Sequence, residues 1–235
     1  MTGDRLNSTL KTACIIVAGG AGLRLGGEQP KQFLPLGGMP LLAWSVKYFG
    51  SHPGINRLIV VVPEGWEARA AELLGNVPLS TNLKVVAGGT LRQDSVLAGI
   101  QAAGDCDLVA IHDGARPFPP ENLSDILEKA SETGGAIYAM PVTDSVKFVN
   151  GGIIQRTVPR QDLWAAQTPQ VFVRTKLLEA LEYCREHGRE LTDDASAFEQ
   201  MGWPVAIVTG TRGNVKITYA EDFTMAEQCL KGKAE

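Results

Sequence analysis

At 235 residues, with 44% hydrophobic and 20% charged residues, the sequence has the length and composition of one sizeable globular α/β domain with room for a small appendage. A net charge of −4 argues against the broad basic face that general nucleic-acid binding requires. No stretch is long and apolar enough to span a bilayer, and Met1–Leu10 lacks the apolar core of a secretion signal. Cys14, Cys106, Cys184 and Cys229 are scattered without metal-ligand spacing, so a reducing, cytoplasmic setting is expected, with no membrane or nucleic-acid partner.

In chain order, an apolar β-branched run at Cys14–Ala18 predicts a strand. A helix follows at Leu41–Phe49, a strand at Leu58–Val62, a helix at Trp66–Leu74 and a short strand at Leu83–Val86. The next pairs are a helix at Thr90–Ala103 with a strand at Leu108–Ile111, and a helix at Asn122–Ser131 with a strand at Ala136–Met140. Residues 141–160 break the alternation: Val142, Val146 and Phe148 alternate imperfectly with polar residues, Asn150-Gly151-Gly152 supplies a turn, and Ile153–Val158 runs back. That is a hairpin signal. Helices at Arg174–Glu186 and Asp222–Leu230, a helix start at Thr192-Asp193-Asp194, and short strands at Val205–Val208 and Val215–Ile217 complete the prediction. Such alternation implies a mostly parallel sheet covered by helices on both faces, with ligands beyond the carboxyl ends of its strands. Residues 1–235 are expected to form a single domain carrying the hairpin as an inserted arm.

The first strand ends in Ala18-Gly19-Gly20-Ala21-Gly22, followed by Arg24 and Lys31. Glycines let the backbone lie close to a ligand with its N–H groups outward, and the two cations make a polyanion the fitting ligand. A P-loop is excluded, because Lys31 is followed by Gln32 and no glycine directly precedes it. The dinucleotide fingerprint fails too, since Leu25 stands where a third Gly or Ala is needed. Gly88-Gly89-Thr90 through Ser95 repeats the design of strand, glycine break and helix, either to read a base and sugar or simply to cap the helix.

Asp113 ends the strand at Leu108–Ile111, where it either holds a hard cation bridging phosphate oxygens or caps the following turn. Arg116 just beyond it could grip a phosphomonoester, whereas His112 reads as a packed or hydrogen-bonded histidine. Asp105-Cys106-Asp107 matches the acidic pair of metal-dependent glycosyltransferases, but it precedes its strand and so falls at the wrong edge of the sheet. Lys216, between Val215 and Ile217, reads as a solvent-facing edge-strand residue.

Taken together, AGGAGLR with PKQFLPLGG, GGTLRQDSV, HDGARPF, PVTDSVK, TVPRQDLWAAQTPQVF, LTDDAS and GNVKIT resemble the 2-C-methyl-D-erythritol 4-phosphate cytidylyltransferases over nearly the whole chain after Thr12. The resemblance implies a Rossmann-like nucleotidyltransferase fold, CTP as donor, Mg²⁺ as cofactor, and a homodimer whose projecting arms interlock. By position, Ala18, Gly19, Gly20, Gly22, Arg24 and Lys31 would embrace the triphosphate, and Gly89, Thr90 and Ser95 the cytidine. Asp113 would bind the metal, with Gly114 beside the ribose or phosphates and Lys216 reaching both substrates. Asp113, Arg116, Ser145, Arg160, Thr168 and Lys216 would hold the acceptor, with Ser145 and Arg160, and Thr168 with them, reaching in from the partner's arm. Arg24, Lys31, Arg160 and Lys216 would be the catalytic set. Gly19, Thr90, Gly114 and Ser145 depart from a usual Ala, Asp, Ala and Thr; the first of these also occurs in ribitol-5-phosphate cytidylyltransferases, the alternative reading.

The implied reaction is in-line attack of the acceptor phosphate on the α-phosphorus of CTP, with pyrophosphate leaving. A phosphomonoester is already ionised near neutrality, so positioning and charge stabilisation dominate over base catalysis. A nucleotide-sugar glycosyltransferase and a non-catalytic nucleotide-binding module are the competing classes.

Overall fold

The computed structural model describes residues 10–20 and 29–231. The chain runs β1 (Thr12–Val17), a single 3-10 turn (Lys31–Phe33), β2 (Pro35–Leu36), β3 (Met39–Pro40), α1 (Leu41–Ser51), β4 (Arg57–Val62), α2 (Glu67–Leu74), β5 (Asn82–Ala87) and α3 (Arg92–Ala103). It continues through β6 (Leu108–Asp113), α4 (Leu123–Thr133), β7 (Gly135–Pro141), β8 (Val146–Asn150), β9 (Ile153–Val158) and β10 (Trp164–Val173). Last come α5 (Arg174–Glu186), α6 (Ala195–Gln200), β11 (Ala206–Thr209) and α7 (Ala220–Lys231).

Seven strands form one sheet in the order β11-β7-β10-β6-β1-β4-β5. All its pairings are parallel except those of β10, which runs antiparallel to both β6 and β7. The central strands are apolar throughout because both faces are covered. Alternation along them divides the core: Cys14, Ile16, Leu58 and Val60 pack with α1, α2 and α4 on one face. Ala13, Ile15, Ile59 and Val61 pack with α3, α5 and α6 on the other. Each fully buried Leu or Ile in these layers contributes about 1.5–3 kcal/mol. At Gly99 helix α3 comes so close to the sheet that an added Cβ would lie 2.3 Å from Ile15 Cγ2.

The order of the strands reverses between β1 and β6, and a crevice opens there beyond their carboxyl ends. The β8–β9 hairpin leaves this same edge, because β7 ends at Pro141 beside Trp164, the first residue of β10. No residue of the hairpin strands is buried.

Two expectations need correction. The motif TVPRQDLWAAQTPQVF contains all but the last residue of β10, which composition did not predict: Pro169 and the polar Gln167, Thr168 and Gln170 read against a central strand. The ladder tolerates them by breaking register between Ala166 and Gln170, where the Thr168–Pro169 peptide is cis. Conversely, Val215–Ile217 is no strand. The Ile217 N–H donates to Ala115 O at 2.8 Å, and its side chain is buried beside Leu36, Leu41 and Ala226 under α7, so the segment is pinned to the end of β6 rather than to a ladder.

Candidate active site

At the crevice, one cavity of about 260 Å³ is lined by Val17, Ala18, Gly19, Gly20, Lys31, Gln32, Gly89, Thr90, Leu91, Arg92, Ser95, Asp113, Ala115 and Lys216. Residues expected from four separated stretches of sequence therefore converge on one place. Gly22 and Arg24 lie outside the described residues.

Each wall is fixed by local bonds. Gln32, from the 3-10 turn, donates to the carbonyls of Ala18 and Gly20, tying the glycine loop to the turn that carries Lys31. Lys31 Nζ donates to Ile217 O at 2.6 Å, joining that turn to the loop bearing Lys216. On the opposite wall, Ser95 Oγ accepts from the Gly89 N–H at 3.2 Å, and the Asp94 carboxylate accepts from the Leu91 N–H at 3.1 Å. A Cβ on Gly89 would meet Asp94 Cβ at 2.4 Å, so only glycine permits this close turn.

Asp113 is the electrostatic centre. Lys216 Nζ lies 2.8 Å from its Oδ2, Arg92 Nη2 lies 3.5 Å from its Oδ1, and Arg116 Nε lies 3.7 Å from its Oδ2. Burial works against ionisation, but Lys216, Arg92 and Arg116 together hold the carboxyl well below the usual carboxylate range. Its N–H donates to Thr168 Oγ1 at 3.0 Å.

The remaining expected residues sit as follows. Thr168 is buried in β10 rather than on the hairpin, its hydroxyl held between the Asp113 amide and His112 Nδ1. Arg116 is largely buried, and its Nη1 donates to Asn214 O at 2.6 Å. Gly114 faces α1: a Cβ there would come within 3.0 Å of both Ala18 Cβ and Leu42 Cδ1. Ser145 and Arg160 are exposed at the foot of the hairpin, where Arg160 donates to Thr143 O, and neither lines this chain's cavity. Asp105 and Asp107 lie at the amino edge, where Asp107 accepts from the Lys11 N–H. His112 is fully buried and hydrogen-bonded, as expected. Lys216, expected to face solvent, is half-exposed and paired to Asp113.

Arg92, Gln32, Asn214 and Asp194 stand inside the sequence motifs without having been expected at the site. A glutamine directly after the lysine, and an arginine opening the helix after a glycine break, were the available signals.

Among the described residues no three His, Cys, Asp or Glu side chains cluster as a metal cage. Asp113 is the carboxylate of the cavity lining that could hold Mg²⁺, an ion commonly bound by one or two carboxylates plus substrate phosphates. No helix among the described residues is long and apolar enough to cross a membrane.

A family profile described as 2-C-methyl-D-erythritol 4-phosphate cytidylyltransferase matches residues 12–232. The protein of that name from Carboxydothermus hydrogenoformans is 41% identical over 220 residues, covering 92% of this chain and 94% of its own. The one from Bacillus licheniformis is 40% identical over 220 residues, covering 93% and 95%. Among solved structures, 4-diphosphocytidyl-2C-methyl-D-erythritol synthase from Anaerococcus prevotii superposes with a TM-score of 0.83 at 27% identity, covering 96% of this chain and 98% of that one. The 2-C-methyl-D-erythritol 4-phosphate cytidylyltransferase from Thermus thermophilus gives 0.77 at 32% identity, covering 94% and 100%.

Proposed function

This chain belongs to the 2-C-methyl-D-erythritol 4-phosphate cytidylyltransferase family, and on that premise we propose how its residues carry out the reaction. It is a nucleotidyltransferase of the non-mevalonate isoprenoid pathway that transfers CMP from CTP to 2-C-methyl-D-erythritol 4-phosphate, releasing pyrophosphate. Ribitol 5-phosphate is not favoured as acceptor, since the relatives matched over nearly their whole length carry the methylerythritol name.

The observation that carries the reading is the convergence of the glycine loop, Lys31, Ser95, Asp113 and Lys216 on one crevice. Backbone N–H groups of Gly19 and Gly20, with Arg24 and Lys31, hold the triphosphate, and Gly89, Thr90 and Ser95 flank the nucleoside. An acceptor phosphate oxygen attacks the α-phosphorus in line, and the bond to the β-phosphate oxygen breaks. Both reactants are anions, so the protein's work is to bring them together and neutralise the charge that grows on the phosphates. Lys216 and Arg160 aim the acceptor, and Arg24 and Lys31 stabilise the transferring group. Asp113 would hold Mg²⁺, which when bound supplies charge neutralisation on the phosphates. The four cysteines are free thiols, which supports a cytoplasmic setting.

The hairpin supports a homodimer. Ile153 is 67% exposed and Ile154 60%, and an isolated two-stranded ribbon is marginal in water. A second copy that covers these residues would bring Arg160 and Ser145 to the partner's crevice. Mixing Arg160→Ala with Lys31→Ala subunits then restores about a quarter of the sites in a random mixture and about half in purified heterodimers, on the symmetry of a two-fold dimer. No recovery in confirmed heterodimers would refute a shared site. The function itself is tested by pyrophosphate release from CTP and Mg²⁺ with each acceptor. Turnover with 2-C-methyl-D-erythritol 4-phosphate well above that with ribitol 5-phosphate is expected, and the reverse order overturns the acceptor assignment.

A further inference from the structure

From the cleft wall inward runs a partly buried ion pair that none of these roles uses. Arg92, the first residue of α3, places Nη1 at 2.8 Å from Asp194 Oδ1 and Nη2 at 3.5 Å from Asp113 Oδ1. Arg92 and Asp113 line the cavity, whereas Asp194 does not and is 1% exposed. Asp194 Oδ2 has no hydrogen-bond partner, and among the described residues Arg92 is the one cation within ion-pair distance of that carboxylate. An aspartate at a helix start ordinarily accepts from its own helix's N–H groups, yet Asp194 makes no such cap on α6.

The surroundings hold Asp194 in this unusual place. Buried Gln170 of β10 accepts from the N–H groups of Asp194 and Ala195, both at 3.0 Å, and donates to Asp193 Oδ2 at 2.8 Å. Buried Gln93, next to Arg92, accepts from the Leu191 N–H at 3.1 Å and donates to Arg189 O at 3.2 Å. The loop between α5 and α6 is thus bolted to the start of α3 and to β10 by two glutamines whose polar ends are satisfied.

We propose that Asp194 is a positioning residue that draws Arg92 away from Asp113 and thereby sets how readily Asp113 takes a divalent cation arriving on nucleotide phosphates. The inference rests on the reading of Asp113 as the metal-holding residue. Its basis is the division of one guanidinium between two carboxylates, with the shorter contact on the one outside the cavity. Neutralising Asp194 leaves Asp113 as the carboxylate within ion-pair distance of Arg92 among the described residues. Closing that contact from 3.5 Å to 2.8 Å strengthens the attraction by about a quarter. At an effective dielectric near 20 this weakens cation binding at Asp113 by roughly three- to eightfold.

The test is calorimetric titration of the full chain with CTP, without acceptor, across a range of Mg²⁺ concentrations. The Mg²⁺ concentration giving half of the metal-dependent gain in CTP affinity is the readout. In the wild type the affinity rises with Mg²⁺, and Asp113→Asn abolishes the rise. If it does not, the Asp113 reading falls and this inference with it. Asp194→Asn, with an unchanged thermal midpoint, raises the half-effect concentration by roughly three- to eightfold. The double variant Arg92→Gln/Asp194→Asn brings it back to the wild-type value or below. A Mg²⁺-dependent wild type with an unmoved Asp194→Asn, or a double variant matching Asp194→Asn, overturns the inference alone. Should Asp194→Asn fail to fold, the double variant decides by itself, because it buries neither charge. A value at or below wild type supports the proposal, and one above it overturns it.

Discussion

Lowering the pH should destabilise this protein through His112 in a window that can be worked out in advance. The ring is fully buried at the end of β6 against Phe49, with ring centroids 4.8 Å apart. Nε2 lies 2.9 Å from Arg116 O, and since a carbonyl can only accept, Nε2 carries the proton. Nδ1 therefore accepts from the Thr168 hydroxyl at 3.1 Å. Burial pushes the pKa of His112 from 6.5 down to about 4, with the Arg116 carbonyl opposing that fall in part. Between those values the unfolded chain binds a proton that the folded chain refuses, so stability is lost as pH falls from 6.5 toward 4. Linkage puts the loss from this one group between pH 7 and pH 5 at about 2 kcal/mol. The assay is urea unfolding in EDTA at both pH values, on the wild type and on His112→Gln, which keeps a donor and an acceptor but does not titrate. His52, lowered by its own burial, and the carboxylates titrate in both proteins and cancel in the difference. The variant is the less stable at pH 7, and the gap narrows by about 2 kcal/mol at pH 5. A gap of constant size would refute the reasoning, because His112 would then take up its proton equally in both states.

Gly99→Ala places a methyl 2.3 Å from Ile15 Cγ2 and 3.1 Å from Val61 Cγ2. Overpacking costs about 1–3 kcal/mol against about 1 kcal/mol gained in helix propensity, so a lowered thermal midpoint is expected. Thr168→Val leaves the Asp113 N–H without its acceptor and removes the donor to His112, lowering stability in urea by about 1–3 kcal/mol. Lys216→Ala removes the nearest cation from Asp113 but leaves Arg92 and Arg116 facing it, so the thermal midpoint falls only modestly while kcat falls roughly 10²–10³-fold in the pyrophosphate assay.

Much of the fold was legible because β1, β4 and β6 are buried on both faces, and runs such as Ile15-Ile16-Val17 and Leu58–Val62 announce that directly. β10 was hidden because its polar residues are satisfied by tertiary partners that periodicity cannot see: Gln170 by the Asp193–Ala195 backbone and side chain, Thr168 by His112 and Asp113. The error at Val215–Ile217 has the same origin in reverse. Alternation suggested a ladder, but the burial of Ile217 under α7 serves to hold a loop. Within the site, Lys31, Ser95 and Asp113 stand beside glycine breaks or at a strand end, where ligand edges are expected. Arg92 and Asp194 belong to separate motifs and meet only through the packing of α3 against α5 and the loop that follows it, so their partnership had no local signature.

The three cations that pair with Asp113 among the described residues are not equivalent, and their differences explain how one carboxylate can serve a crevice meant for anions. Arg116 is 11% exposed and spends Nη1 on Asn214 O, so it braces the end of β6 against the loop carrying Lys216. Arg92 is shared with a second, buried carboxylate. Lys216, 48% exposed on a flexible stem, is the member best able to leave Asp113 for an incoming phosphate, whereas a guanidinium fork held at both ends gives up its geometry less readily. An incoming polyanion therefore meets one carboxylate that Arg92 and Arg116 still face, beside Lys31 and a lysine that can change sides. If a structure with bound CTP and Mg²⁺ kept Lys216 on Asp113 and showed Arg116 swung onto the phosphates instead, this division between fixed and transferable charge would be wrong.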